Sequence, residues 1–473
     1  MAMGRRNRES QEQLFLVTHQ MPQSQGHPFY LKLNKLLAAY SFDDFCEQVC
    51  EEFYARGGRP GLAPGIYFRM LLIGFFENIS SERGIAWRCA DSLSLREFLG
   101  LTLDQSVPDH STVSRTRRLI PYETHLTVFT WVLKVAADQD LLKGKTLGVD
   151  ATTLEANAAM RSIQRRESGE SHIEFMTRLA KESGIETPTR EDIAKLDRNR
   201  KGKSSNKDWE HPHDPDASIT KMKNGSTHMG HKMETAVDME SGIVTATTLH
   251  AGHTGDTSSM PETILQATEN LKKVTEDPVT EDKLSDKWCS EAVADKGYHS
   301  NQTLLDLDEM GIRSYISEPR RGRRRWKGKP AEQQAVYANR RRIRGKRGKE
   351  LIRRRGEKIE RPFAHALEHG GMRRTHLRGH ENILKRLLVH IAGLNLGIVM
   401  RSLFGVGSPK GPKGSFFAFF ECLRSLKTTQ IDPRSILGSI WTRIAQNETP
   451  ARRKTNHANS VDSAISPYFT TDC

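Results

Sequence analysis

Two short apolar runs in the middle of the chain each end on an aspartate, and this constrains the fold more than any other feature. Thr146-Leu-Gly-Val-Asp150 is followed by Ala-Thr-Thr153, and Ser290-Glu-Ala-Val-Ala-Asp295 by Lys-Gly-Tyr-His-Ser-Asn301. A run of this length suits a buried strand, and a carboxylate at its end belongs at a sheet edge, where side chains meet solvent and ligand. Between the two, Gly230 to Asp238 alternates, Ser241-Gly242 supplies a tight turn, and Ile243 to Leu249 returns as the second half of a β-hairpin. A helix over 257–273 follows, and Ile312 to Ile316 reads as a third strand. Strand, hairpin, helix, strand, helix, strand is a mixed α/β sheet with flanking helices. A lone strand-end aspartate is ordinarily a turn former, so chemistry depends on what converges with these two.

Ahead of the sheet, residues 33–140 read as all-helical, with apolar side chains at three and four spacing in Phe42, Phe45 and Val49 and again in Phe68, Leu71, Leu72, Phe75 and Phe76. Ser81-Glu-Arg-Gly84 and Pro108-Asp-His-Ser-Thr112 are helix starts, because a Ser or Asp oxygen accepts the free amides of a first turn. The helix after Ser111 carries Arg115, Arg117 and Arg118. A basic helix in a small helical domain fits a helix-turn-helix-like DNA reader, and an ordinary capped surface helix fits it equally well. Residues 1–32 are polar and read as a tail; 406–473 read as a C-terminal helix and polar tail.

The formal net charge of the chain is +14. Residues 320–355 carry seventeen Lys or Arg against Glu332 and Glu350, which accounts for that whole excess and leaves the rest near neutral. A concentrated basic segment is a local field aimed at a polyanion. Its candidate phosphate contacts are Arg320, Arg321, Arg323, Arg324, Arg325, Lys327, Arg340, Arg341, Arg342 and Arg344, with Trp326 and Tyr337 placed either to stack on bases or to form a small core. The bland reading of such a run is a solvated loop.

No run of about eighteen consecutive apolar residues marks a membrane span, and the charged start Met1 to Glu9 leads into no apolar signal core, so a soluble cytoplasmic protein is expected. The six cysteines are too scattered for a disulfide framework and read as buried thiols. His211-Pro-His213-Asp214-Pro-Asp216 tempts a metal assignment, but two prolines in six residues and the charged surroundings favour a solvated loop. A third carboxylate, Glu360, borders a helical apolar stripe of Ile352, Ile359, Phe363 and Ala366, with Pro362 suggesting a helix that starts only near Lys358. Asp150, Asp295 and Glu360 are hard oxygen donors suited to a pair of Mg²⁺ or Mn²⁺ ions. Two such ions, roughly 3.5 to 4 Å apart, activate the attacking oxygen and stabilise the leaving one in phosphodiester displacement.

The wording around these residues is more specific than their spacing. Gly148-Val-Asp150-Ala-Thr-Thr, Ala294-Asp295-Lys-Gly-Tyr298 and Glu360-Arg-Pro-Phe-Ala-His, with Leu377-Arg-Gly and Asn395-Leu-Gly downstream, resemble the DDE transposases of bacterial insertion sequences, in particular the IS5 and IS1182-like groups. Gly58-Arg-Pro60, Ser81-Glu-Arg83 and Pro108-Asp-His-Ser-Thr112 are similar to the helical domain ahead of the catalytic core in that family, so the resemblance covers about 35–410. It implies an RNase H-like catalytic domain over 141–405, with insertions at about 160–216 and 318–350, behind a DNA-binding helical domain over 33–140. It also implies Asp150, Asp295 and Glu360 as catalytic and metal-binding residues, two divalent ions, and cleavage and joining of the element's own double-stranded DNA ends.

Processing two ends together implies a homodimer or larger assembly on DNA, without membrane attachment and with nucleoid association when bound. The broader family carries an Arg four residues before the glutamate and a Lys seven after it; here Gly356 and Leu367 stand there. Glu357, with Arg353 four residues before it, is the alternative third carboxylate. Two rival functions are a non-enzymatic DNA-binding regulator or decayed transposase, and a nuclease using a tyrosine nucleophile such as Tyr298.

Overall fold

Among the described residues, seven helices precede the first strand: α1 (Pro28–Ala39), α2 (Phe42–Cys50), α3 (Pro64–Phe76), α4 (Glu82–Ala90), α5 (Leu93–Phe98), α6 (His110–Leu119) and α7 (Tyr122–Asp138). The computed structural model describes residues 26–410 except 59, 201–204, 223–224, 321 and 323. Ser81 and Asp109 cap α4 and α6, their side chains accepting from Gly84 N at 3.1 Å and Thr112 N at 2.9 Å. Helix α1 begins at Pro28, earlier than the expected end of the tail at 32, because Phe29, Leu33, Leu36 and Leu37 already keep helical spacing and are buried. Helix α3 is apolar nearly all round, so it runs through the middle of this region rather than along its surface. Cys46, Cys50, Cys89 and Cys289 are buried thiols; Cys422 and Cys473 lie outside the described residues.

The sheet elements are β1 (Thr146–Glu155), β4 (Ser218–Lys221), β5 (Thr227–Asp238), β6 (Val244–Ala251), β7 (Glu291–Ala294) and β8 (Arg313–Ile316). They pair in the order β6, β5, β1, β7, β8, with β4 continuing the line of β6 along the start of β5. Strand β5 is antiparallel to β1, whereas β7 and β8 run parallel to β1. Helices α10 (Asp256–Thr275) and α11 (Asn301–Glu309) connect the later strands, and α12 (Pro330–Arg344), α13 (Lys346–Ala364) and α14 (His380–Phe404) complete the layers. This is the mixed α/β sheet with flanking helices expected from the sequence.

Both edges of the sheet are closed by a helical asparagine, which removes backbone groups open to pairing with another chain. The Asn395 amide on α14 donates to Val244 O at 2.8 Å and accepts from Val244 N at 2.9 Å. Asn339 on α12 does the same for Ile316 on β8, at 2.8 and 3.1 Å. Helix α14 is long and apolar enough by length and composition to cross a membrane, although no uninterrupted apolar run marks it in the sequence; most of it is buried against α3, α7 and β6. One continuous apolar core runs from Phe29 and Phe68 in the helical region to Ile316 and Leu396 beside the sheet. The described residues, 26–410, accordingly form one compact unit.

The insertion after β1 carries β2 (Gln164–Arg165), α8 (His172–Glu182), α9 (Arg190–Asn199) and β3 (Trp209–Glu210) around a separate small core of Ile163, Trp209, Ile219 and Met229. The solvated loop read at 211–216 is corrected here, because His211 and Asp214 are buried. Asp214 is held between His231, at 3.4 Å, and Gly379 N, at 3.2 Å, a partnership 165 residues away that no local pattern announces. The basic window is likewise not a loop from Pro330 onward, where it folds into α12 and the first turns of α13, while its described residues before Pro330 carry no helix or strand. Helix α13 is continuous from Lys346, not from Lys358, with Pro362 in its last turn and a π-helical turn over His365–His369 directly after it. Proline removes one helical amide, and a one-turn π distortion is where such a loss is absorbed.

Candidate active site

The last paired residues of β1 and β7 are Val149 and Ala294, and each immediately precedes an aspartate. Asp150 and Asp295 therefore stand side by side where the pairing of these parallel neighbours ends, Asp295 at the end of β7 and Asp150 in the middle of β1, not at the strand end expected from the sequence. That is where open α/β sheets bind ligands. Strand β1 continues to Glu155 because β5 still pairs with it, while its other edge, left by β7 after Val149, is taken up again at Glu155 by a bridge to Arg374, and a cleft opens between the two.

Helix α13 brings the third carboxylate. Ile359 is fully buried against Gly148, where an added Cβ would lie 2.5 Å from Ile359 Cδ1 and 2.6 Å from Met239 Sδ. The glycine of Gly148-Val-Asp150 thus exists to let this helix approach. Glu360, the next residue, lines a cavity of about 540 Å³ together with Asp150, Thr152, Thr153, Phe363 and Arg373. Asp295 stands outside that lining, at the neighbouring strand end. Glu357 is absent from the lining too.

Each aspartate is held. Asp150 accepts from Ala151 N at 2.8 Å and forms an ion pair with Arg355 Nη1 at 3.2 Å. Arg355 lies five residues before Glu360, one position away from where the family pattern carries its arginine. Sequence reasoning passed over it as one more charge in a basic run; the signal available was its place one turn before Glu360 on the same helix. The Asp295 carboxylate accepts from Lys296 N and caps the short turn that ends in Tyr298.

That turn is anchored from below. The Tyr298 hydroxyl donates to buried Glu234 at 2.9 Å, and Glu234 also accepts from Ser259 at 2.6 Å and Thr263 at 2.5 Å on α10. Lys232 closes the network, 2.7 Å from Asp256 and 2.8 Å from Ser259. A Cβ at Gly297 would stand 2.6 Å from Asp256 Oδ2, so Lys-Gly-Tyr is the wording of a turn pressed onto this network. Burial, with Glu234 beside it, pushes the Tyr298 hydroxyl far above its ordinary value. A buried, protonated tyrosine whose hydroxyl is already spent is no nucleophile, which removes the tyrosine-nuclease reading.

The basic residues sort into two groups. Arg117 is buried and ion-paired with Glu82, with Asn382 at 3.3 Å, so it is a packing residue and leaves the DNA-facing set. Arg324 and Arg340 both hold Glu318, at 2.9 and 2.6 Å, and Arg342 donates to Ser314 O at 3.0 Å. They fix the window to the edge of the sheet. Arg115, Arg118, Arg320, Arg325, Lys327, Arg341 and Arg344 are exposed, and Arg321 and Arg323 lie outside the described residues. Trp326 and Tyr337 are 6.1 Å apart, under the guanidinium groups of Arg324 and Arg340; Trp326 packs on the core, whereas Tyr337 is 40% exposed.

Among the described residues, no three His, Cys, Asp or Glu side chains stand close enough together to hold a metal ion. The donors nevertheless fit a hard divalent cation in kind, being carboxylates where the pairing of β1 and β7 ends and on the helix crossing them. Arg355 already sets a positive charge against one of them.

Comparison with protein families matches residues 18–119 to a model described as "Transposase domain (DUF772)" and residues 206–396 to one described as "Transposase DDE domain". No curated protein and no solved structure matches the chain. The second match contains Asp295 and Glu360, and the first contains the capped helices α4 and α6. With an RNase H-like catalytic region behind a helical one, the chain belongs to the DDE transposases of insertion sequences.

Proposed function

We propose that the chain binds the terminal inverted repeats of its own element and catalyses divalent-metal-dependent cleavage and transfer of DNA strands, with Asp150, Asp295 and Glu360 as the catalytic carboxylates. The reading rests on one observation: Asp150 and Asp295 directly follow the last residue pair of two adjacent parallel strands, and the helix packed on Gly148 carries Glu360 into the cavity that Asp150 lines. A bound Mg²⁺ or Mn²⁺ pair would activate the attacking oxygen and stabilise the leaving one. The chain's own part is positional. The Glu234 network holds the Asp295 turn, Gly148 sets the depth of α13, and the exposed arginines beside the sheet edge grip phosphates. Two copies acting on two ends follow from the same chemistry.

Asp150→Asn, Asp295→Asn and Glu360→Gln are each expected to abolish Mg²⁺-dependent nicking of an end-containing duplex while leaving its binding in a gel-shift assay intact. Full nicking by the Asp295 variant would sink the assignment. A second reading, DNA binding without cleavage, draws on the Arg355 contact, which occupies Asp150. It predicts no nicking by the unaltered chain at any Mg²⁺ or Mn²⁺ concentration.

A further inference from the structure

Helix α13 and the π turn after it present two unlike faces. Glu360, Phe363, Ala364, Leu367 and Glu368 line the catalytic cavity. Lys358, Arg361, Pro362 and His365 fall on average roughly 150° around the helix from them at 100° per residue, and these, with His369, line a different cavity of about 390 Å³. Arg401 and Lys410 complete its rim, Phe75, Phe76 and Leu394 are among its apolar lining, and no Asp or Glu is among its lining residues. Lys358, Arg361, Arg401 and Lys410 are the cations of this concavity; Arg361 also meets Glu357, outside the lining, at 3.8 Å, and an anion in the concavity would balance the others. The His365 ring is held below its ordinary value by burial and by His369, Arg401 and Arg361, so it offers hydrogen bonds rather than charge. None of these residues belongs to the basic window that the sequence makes conspicuous.

We infer that this cavity is a second DNA-contact site, taking backbone phosphates of duplex DNA on the side of α13 away from Glu360. The inference rests on the transposase reading for its ligand. The charge is spread over four long side chains around an apolar floor, which suits a phosphodiester track rather than one small anion held in a fixed cradle. The phosphates belong either to the duplex lying in the catalytic cavity or to a second duplex, the target.

The test is fluorescence anisotropy of a labelled end-containing duplex across a salt series, on the full chain and on Arg361→Gln/Arg401→Gln/Lys410→Gln. A control, Arg190→Gln/Lys195→Gln/Arg198→Gln on exposed α9, removes the same charge elsewhere, and thermal melts confirm that both variants fold. If the cavity grips the duplex bound at the carboxylates, the log–log salt slope falls by about 0.9 per lost contact, so by two to three units, while the control falls by less than one. If it grips a second duplex, the first binding is unchanged. Capture of a labelled second duplex by the complex saturated with the first then falls at least tenfold. Unchanged slope together with unchanged second capture overturns the inference, as does an equal effect of the control. Failure of the unaltered chain to bind any duplex would instead sink the transposase reading beneath it.

Discussion

At the scale of single residues, the contact between Arg355 and Asp150 is the one that chemistry turns on. Both groups are less than a quarter exposed, and a divalent cation bound by Asp150 would compete with the guanidinium for the same carboxylate. A partly exposed pair of this kind contributes up to about 1 kcal/mol. Arg355→Gln is therefore expected to tighten Mn²⁺ binding by the DNA-free protein up to about fivefold in isothermal titration calorimetry. Weaker binding would mean that Arg355 orients Asp150 for the metal rather than competing with it. The aspartates themselves were legible in the sequence, because a short apolar run ending in a carboxylate is a local pattern. Arg355 and Glu234 were not, because their partners stand 205 and 64 residues away in sequence. Arg117 shows the converse: its charge was legible, and its burial against Glu82 was set by packing alone.

Elements carry the next part of the site. Helix α13 reaches the sheet only because residue 148 has no side chain, so Gly148 controls the depth of Glu360 without touching any reacting group. Gly148→Ala is expected to destabilise the protein by about 1 to 3 kcal/mol through overpacking against Ile359. It should also lower nicking with DNA binding retained. Adding Ile359→Val removes the atom nearest the new methyl and should recover most of the melting temperature and part of the activity. No recovery in the double variant would show that Met239, not α13, takes up the clash. The start of α13 was misread from sequence because Pro362 was taken to mark a first turn. Its apolar stripe from Leu351 to Phe363 continues through the proline, and tertiary burial of Ile359, Pro362 and Phe363 outweighs one lost hydrogen bond. The hairpin, by contrast, was legible almost to the residue, since its alternation and the Ser241-Gly242 turn are wholly local.

The molecule as a whole has one core beneath both the helical region and the sheet, and two histidines lie at its centre. His125 on α7 and His390 on α14 are 0% exposed, on two helices packed against each other. Burial holds each ring down to about 3, well below its ordinary value. His125 bonds Pro121 O and the Tyr67 hydroxyl, and Lys385 and Arg117 are the charges that face it. His390 bonds Gly370 O and Arg386 O, with Arg386 facing it. Burial is the main force against protonation and the nearby cations add to it, outweighing the carbonyl acceptors Pro121 O, Gly370 O and Arg386 O, which favour it. The unfolded chain takes up these protons near pH 6.5 and the folded chain only near 3, so below pH 6.5 the unfolded state binds more protons. Stability is then fully present above pH 6.5 and falls as the pH drops toward 3, by on the order of a few kcal/mol per ring. The melting temperature should decline steadily from pH 7 to pH 4.5. His125→Gln, which keeps a polar side chain and loses the titration, should lie below the unaltered chain at pH 7 and decline less steeply. Parallel pH profiles for the two would show that the acid sensitivity comes from the carboxylates on the surface, and that the shared core titrates as neither helix predicts.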